Sequence, residues 1–139
     1  MPERYAHYIG GQWVAGDGEW FDDINPADST DIIGQFPQAT EADVRRAANA
    51  AQEAFPAWKS LPAPSRGEFL AKAADVLEQR LDEVASALVR EEGKSKPEAL
   101  GETNRGVVIL RYYATEGLHQ VGEVIPSTAP KTLLYTTRT

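Results

Sequence analysis

The 139-residue sequence predicts an α/β fold that is incomplete within its own length, on three observations. Before Thr40, short apolar and aromatic runs alternate with Gly, Pro and Asn-Pro turn signals, the pattern of β-hairpins. From about Thr40 to Leu118, apolar residues recur at helical spacing in about four segments. The final stretch, Lys131 to Thr139, is rich in β-branched and aromatic residues and has no turn signal after it. A lone strand leaves a row of N–H and C=O groups unpaired, so the last stretch requires a partner. That partner is either the N-terminal strands or polypeptide outside this sequence.

The elements follow in order. Tyr8-Ile9 and Gln12-Trp13-Val14 flank Gly10-Gly11, and two glycines accept the positive φ of a tight hairpin turn. Gly16-Asp17-Gly18 is a second turn signal before Trp20-Phe21. Asn25-Pro26-Ala27-Asp28 is a third, since Pro presets φ and Asn bonds its own backbone. Asp31 to Phe36 is a short strand that Pro37 ends. Thr40 is the N-cap of the first helix, with Asp43 positioned to return a bond to the Thr40 N–H. Val44, Ala47, Ala48, Ala51 and Phe55 form its apolar stripe, and Trp58 anchors its exit. The second helix starts between Pro62 and Ser65, either at a Ser65–Glu68 capping box or with Pro64 in its first turn. Phe69, Leu70, Ala73, Val76 and Leu77 make its inward face. A break near Arg80 leads to a third helix with Leu81, Val84, Ala85, Leu88 and Val89 inward, ended by Gly93 in a left-handed conformation. Ser95 to Glu98 opens a fourth helix that runs to about Glu116. Its Gly106–Ala114 stretch is apolar on nearly every side, which predicts burial between layers. Gly122 to Pro130 is a short strand or loop.

Composition excludes several function classes. Apolar residues at 42% and charged residues at 25% are those of a globular chain. A net charge of −7 and no basic stripe argue against nucleic acid, whose phosphates need a basic face. No apolar run reaches the roughly 20 residues that span a membrane, and the N-terminus has no apolar secretory segment. There is no cysteine, hence no disulfide, thiolate metal site or thiol nucleophile. A cytoplasmic location is the expectation.

No residue set announces a reaction centre. Gly93-Lys94-Ser95 matches the end of a phosphate-binding loop, but the position that should hold the first Gly is Leu88 and a helix precedes the loop. A helix-ending glycine followed by a new cap is the simpler reading. No G-x-G-x-x-G dinucleotide fingerprint occurs. His7 and His119 lie far apart with no ligand spacing to carboxylates, and neither is placed to activate a serine. Asp22-Asp23 and Glu91-Glu92 are solvated pairs. Trp13, Trp20 and Phe21 are the core of a small β layer, and Tyr112-Tyr113 is helix packing.

Seven segments nevertheless occur in a recognisable order. They are Tyr8-Ile-Gly-Gly-Gln-Trp-Val14, Ile24-Asn-Pro-Ala27, Ala47-Ala48 through Phe55-Pro-Ala-Trp58, Arg66 with Ala73-Ala-Asp75, Glu92-Gly-Lys94, Arg111-Tyr-Tyr-Ala114 and Gly122-Glu-Val-Ile-Pro126. Together they resemble the N-terminal quarter to third of an NAD(P)-dependent aldehyde dehydrogenase. The Gly122–Thr128 stretch with Tyr135-Thr-Thr-Arg138 is similar to the branch that includes 2,5-dioxopentanoate (α-ketoglutaric semialdehyde) dehydrogenases.

The resemblance implies an incomplete aldehyde dehydrogenase-like fold. Residues 1–122 would be the N-terminal part of the NAD(P)-binding domain, and 123–139 the start of an oligomerisation β arm. It implies a whole enzyme that oxidises an aldehyde through a cysteine thiolate, with hydride passing to NAD or NADP. A glutamate would activate water and an asparagine amide would help bind the oxyanion. All three residues would lie downstream, so no catalytic or cofactor-binding residue is assigned here, and Asn25 and Asn104 are outside the catalytic asparagine's motif. The chain alone is expected to hold no cofactor and to be inactive. Two roles carry over: Lys131 to Thr139 as the arm of a homo-oligomer, and Glu102 as the acidic ligand of a structural monovalent cation. An ion-paired Glu102 is the plainer alternative. A rival reading is a self-contained α+β interaction module without enzymatic activity. In it Lys131–Thr139 pairs with the Tyr8–Val14 hairpin, and the fourth helix is covered on both sides.

Overall fold

A computed structural model describes residues 2–119 and 122–137. Two hairpins come first. β1 (His7–Ile9) pairs antiparallel with β2 (Gln12–Val14), with Tyr8 opposite Trp13. Gly10 and Gly11 make the turn at φ 60° and 79°, a region that most side chains avoid. β3 (Trp20–Ile24) pairs antiparallel with β4 (Ile32–Pro37), with Phe21 opposite Phe36 and a register shift between Asp23 and Ile24. The Tyr5 ring stacks on Phe36 at 4.9 Å and lies over Gly34, where a Cβ would come within 2.4 Å of it. The turn between β3 and β4 is built as expected: the Asn25 side chain accepts from the Ala27 N–H at 2.9 Å.

Helix α1 (Glu41–Ser60) starts on a reciprocal cap. The Thr40 hydroxyl accepts from the Asp43 N–H at 3.2 Å, and the Asp43 carboxylate accepts from the Thr40 N–H at 3.0 Å and its hydroxyl at 2.7 Å. Arg46 adds an ion pair. The predicted stripe, by contrast, is not buried. Val44, Phe55 and Trp58 are exposed, as are Ala47, Ala48 and Ala51, because α1 meets β1 and little else among the described residues.

Helices α2 (Ala63–Gln79), α3 (Leu81–Glu92) and α4 (Lys96–Thr115) form one layer. α2 begins with Pro64 in its first turn and without a side-chain cap, so the Ser65 box does not form. Arg80 ends α2 and begins α3, the expected break. α3 turns Val84, Ala85, Leu88 and Val89 toward the layer as predicted, and Gly93 closes it at φ 66°.

α2 and α4 run antiparallel with backbones almost in contact. A Cβ on Gly67 would lie 2.1 Å from the Ala114 carbonyl oxygen, and one on Gly117 2.4 Å from the Ala63 carbonyl oxygen. The core between the helices is correspondingly small: Ala74, Ala85, Ala99 and Val107 are almost fully buried. This corrects part of the inward face expected for α2, of which Leu70 and Leu77 are covered as predicted. Phe69, Ala73 and Val76 are exposed, and the covered face is Gly67, Leu70, Ala74 and Leu77. α2 carries two apolar stripes, and α4 covers the one whose glycine allows the close approach.

Burial of α4 between two layers is also corrected. Ala99, Thr103 and Val107 are buried against α2 and α3, whereas Val108, Ile109, Tyr112 and Tyr113 on the other side are exposed. A 3₁₀ turn (Glu116–Leu118) follows. The last elements are β5 (Val124–Ile125) and β6 (Leu134–Tyr135), paired antiparallel with Ile125 opposite Leu134. The predicted terminal strand is therefore shorter than Lys131–Thr139, and its partner is β5. Arg138 and Thr139 lie outside the described residues. The rival module fails on both its requirements, since β6 does not join the β1–β2 hairpin and α4 keeps a bare face.

The capping box gives a titration prediction. The bond from the Thr40 N–H, then that from its hydroxyl, hold the Asp43 carboxyl down to about 2. Its folded value lies below the unfolded value of about 3.9, so its stabilisation is complete above the unfolded value and is lost as pH falls through about 2. Carboxyl NMR of Asp43 should show that low midpoint, with the Thr40 amide reporting it too. Thr40→Ala should move the midpoint up, and an ordinary midpoint in the wild-type chain would contradict the cap.

Candidate functional site

Glu102, the one residue with an expected ligand role, sits early in α4 beside the α3–α4 connection. Gly93 turns the chain out of α3, and this brings Lys94 back over α4. The Lys94 ammonium pairs with Glu92 at 2.5 Å and with the Glu102 carboxylate. Glu102 first, and Glu92 second, raise Lys94 above its ordinary value, so the ammonium stays charged. Lys94 is the sheltered partner, at 19% side-chain exposure against 58% for Glu102. A structural cation at Glu102 would therefore compete with an ammonium already in place. No group of three or more His, Asp or Glu side chains able to hold a metal ion occurs among the described residues.

The Gly93-Lys94-Ser95 segment is a helix exit followed by a helix entry, with the Glu98 carboxylate accepting from the Ser95 hydroxyl at 2.7 Å and the Ser95 N–H at 3.2 Å. It is occupied by its own carboxylates and offers no phosphate cradle. His7 faces Gly16 and Pro37 between the two hairpins, and its Nε2 has no hydrogen-bond partner. His119 meets Glu116 at 3.2 Å. Tyr112 and Tyr113 stand edge to face at 5.3 Å on the exposed part of α4. The Asn25 amide donates to Asp31 at 3.1 Å, a structural duty in its turn. Asn104 is exposed on α4. The fold brings none of these together as a nucleophile with a base.

The described residues hold no glycine-rich strand-to-helix turn of the dinucleotide-binding kind. Their three sheets are two-stranded and antiparallel, and the connection from β4 into α1 is Gln38-Ala39-Thr40, with no glycine turn at the helix entry.

One ionic contact that the sequence did not reveal joins the β part to the helices. Arg90, in the last turn of α3, grips Asp31 at the end of the β3–β4 turn with two bonds of 2.6 and 3.0 Å. Arg90 first, then Asn25, hold the Asp31 carboxyl below its usual range. The same turn lies against Gly93, where a Cβ would be 3.0 Å from the Pro26 ring. The two partners are 59 positions apart, so no local pattern marks them.

Among the described residues the helices carry exposed apolar faces, and no nucleophile stands beside a base. The pattern of the aldehyde dehydrogenase family matches residues 13–139. The chain belongs to the aldehyde dehydrogenase family. It is 50% identical over 135 residues to the α-ketoglutaric semialdehyde dehydrogenase of Bacillus subtilis, an alignment covering 96% of this chain and 28% of that relative. Among solved structures it is similar to the lactaldehyde dehydrogenase of Escherichia coli, with a TM-score of 0.86 at 33% identity over 94% of this chain and 27% of that one. It is also similar to an NAD-dependent benzaldehyde dehydrogenase of Corynebacterium glutamicum, with a TM-score of 0.82 at 33% identity, covering 90% and 27%. The chain therefore spans little more than a quarter of the length of these relatives. The incomplete α/β architecture expected from the sequence is the one found. No described helix is long and apolar enough to cross a membrane.

Proposed function

We propose that this chain is the N-terminal portion of an NAD(P)-dependent aldehyde dehydrogenase acting on a semialdehyde of the α-ketoglutaric type. The observation that carries the reading is the 50% identity to the Bacillus subtilis enzyme across 96% of this chain. In the whole enzyme a thiolate would add to the aldehyde carbon, hydride would leave that carbon for the nicotinamide, and water would release the acid. This chain contains no cysteine and cannot supply the thiolate. Its contribution would be the α2–α3–α4 layer and the arm, with residues 1–122 in the cofactor domain and 123–139 in the arm. The arm's role as a contact between copies is supported by the exposure of Val124, Leu133 and Tyr135 around a sheet of only two strands.

A chimera tests the reading. This chain replaces the matched segment of the Bacillus subtilis enzyme, and α-ketoglutaric semialdehyde oxidation is followed with NAD and with NADP. The chimera should oxidise the semialdehyde within about tenfold of the parent, and the chain alone should not oxidise it. A folded but inactive chimera, or turnover by the chain alone, contradicts the reading.

Glu102 as ligand to a monovalent cation belongs to the same proposal. Its support is a half-exposed carboxylate on α4 at the position the family resemblance indicates. Potassium in place of tetramethylammonium, at equal ionic strength, should raise the chimera's melting temperature by a few degrees, an effect that Glu102→Gln removes. Equal melting in both salts leaves Glu102 as the ion-pair partner of Lys94 alone.

A further inference from the structure

The loop between β2 and β3 carries the sole Asp-Gly pair of the sequence, Asp17-Gly18, and the sequence has no Asn-Gly pair. A glycine has no Cβ to shield its own amide nitrogen. When it follows an aspartate, that nitrogen can reach the aspartate's side-chain carboxyl.

The fold leaves both groups at liberty. Asp17 is exposed, in a bend outside any strand. Among the described residues its carboxylate has no hydrogen-bond or ion-pair partner, and the Gly18 N–H has no acceptor. The aspartates of the next turn are engaged. The Asp28 carboxylate accepts from the Thr30 N–H at 3.0 Å and its hydroxyl at 2.7 Å, and Asp31 is gripped by Arg90.

The loop has no slack in its main chain. A Cβ on Gly16 would lie 2.5 Å from the Pro37 Cβ and 2.9 Å from the His7 Nε2, and one on Gly18 would lie 2.0 Å from the Gln38 carbonyl oxygen. The Gln38 N–H donates to the Glu19 carbonyl at 2.7 Å and closes the far side. The loop is thus pressed onto the end of β4 at both glycines, and His7 of β1 packs at the same place.

We propose that Asp17 is a site of spontaneous isomerisation to isoaspartate, and that the product unseats the loop and the β1–β2 hairpin from the end of β4. The Gly18 nitrogen bonds to the Asp17 side-chain carboxyl carbon. A carboxyl oxygen leaves as water, with the N–H proton and the carboxyl's own proton, and a succinimide ring closes. Water then adds to the ring's main-chain carbonyl carbon, the bond from that carbon to the nitrogen breaks, and the nitrogen regains its proton. A water lost and a water gained leave the mass unchanged. The main chain now runs through the Asp17 side chain and is one carbon longer, with a free carboxylate beside it. Chain length between fixed points is set by the covalent geometry, so a longer link cannot keep Gly16 and Gly18 both at these distances. Neither step depends on the aldehyde dehydrogenase reading.

The test is ageing of the folded chain for several weeks at neutral pH in water enriched in oxygen-18, beside Asp17→Glu. Glutamate keeps the charge but closes the corresponding larger ring far more slowly. Peptides are mapped with an isoaspartate-specific methyltransferase and by mass. Isoaspartate carrying heavy oxygen should appear at position 17, stay well below that level at Asp28, and be lost from the Glu variant. In the separated isoaspartate form, amide exchange of residues 7–14 should be faster by about tenfold or more, while α2, α3 and α4 keep their protection. If the isolated chain leaves residues 7–14 unprotected before ageing, the chimera, whose activity reports its fold, carries the same comparison. No isoaspartate at position 17, or an equal level at Asp28, overturns the site. Isoaspartate at position 17 with unchanged exchange of residues 7–14 overturns the unseating.

Discussion

The contact of the α2 backbone with α4 and with the 3₁₀ turn that follows it governs the helical part of this chain. Gly67 lies against the Ala114 carbonyl and Gly117 against the Ala63 carbonyl, at distances no Cβ could tolerate. Where the two helices are this close the fully buried positions are small, Ala74 on α2 and Ala99 and Val107 on α4, with Leu70 and Leu77 partly covered beside them. Phe69 and Val76 on α2, and Val108, Ile109 and Tyr112 on α4, lie on the faces turned away from that seam and are exposed. Arg111 closes the outer edge of the seam by pairing with Glu78 and Asp75.

The hairpins depend on that layer through one clamp. Arg90 and Gly93, on the last turn of α3, hold Asp31 and Pro26 on the β3–β4 turn. A bidentate guanidinium–carboxylate pair fixes orientation as well as distance. α1 gains its start from the Thr40–Asp43 cap, yet its apolar stripe finds no cover among the described residues. Local signals are strong enough to form these elements. What joins them into the fold of the family is the small set of close approaches.

Much of this was legible in the sequence wherever the cause is local. Gly10-Gly11, the Thr40–Asp43 box, the Arg80 break and the Gly93 exit all act within a few residues and were read correctly. The inward face of α2 was read only in part, Leu70 and Leu77 but not Phe69, Ala73 and Val76, because periodicity cannot rank two apolar stripes on one helix, and the deciding feature was a glycine. The Arg90–Asp31 pair was invisible for the same kind of reason, a partner distant in sequence. The terminal strand was read longer than β6, and its partner β5 lies in the stretch that was read as a short strand or loop without being paired to it. The family was legible through the order of seven weak segments. No reaction centre was legible among the residues of the sequence.

The α2–α3–α4 layer is cohesive, and the elements that flank it carry exposed apolar faces. Hydrogen exchange compared between the isolated chain and the chimera tests this most directly. The account predicts that α2, α3 and α4 are protected in both, while α1 and the β5–β6 arm gain protection only in the chimera. Equal protection of α1 and the arm in the isolated chain would show that the layer is already closed, and would contradict it.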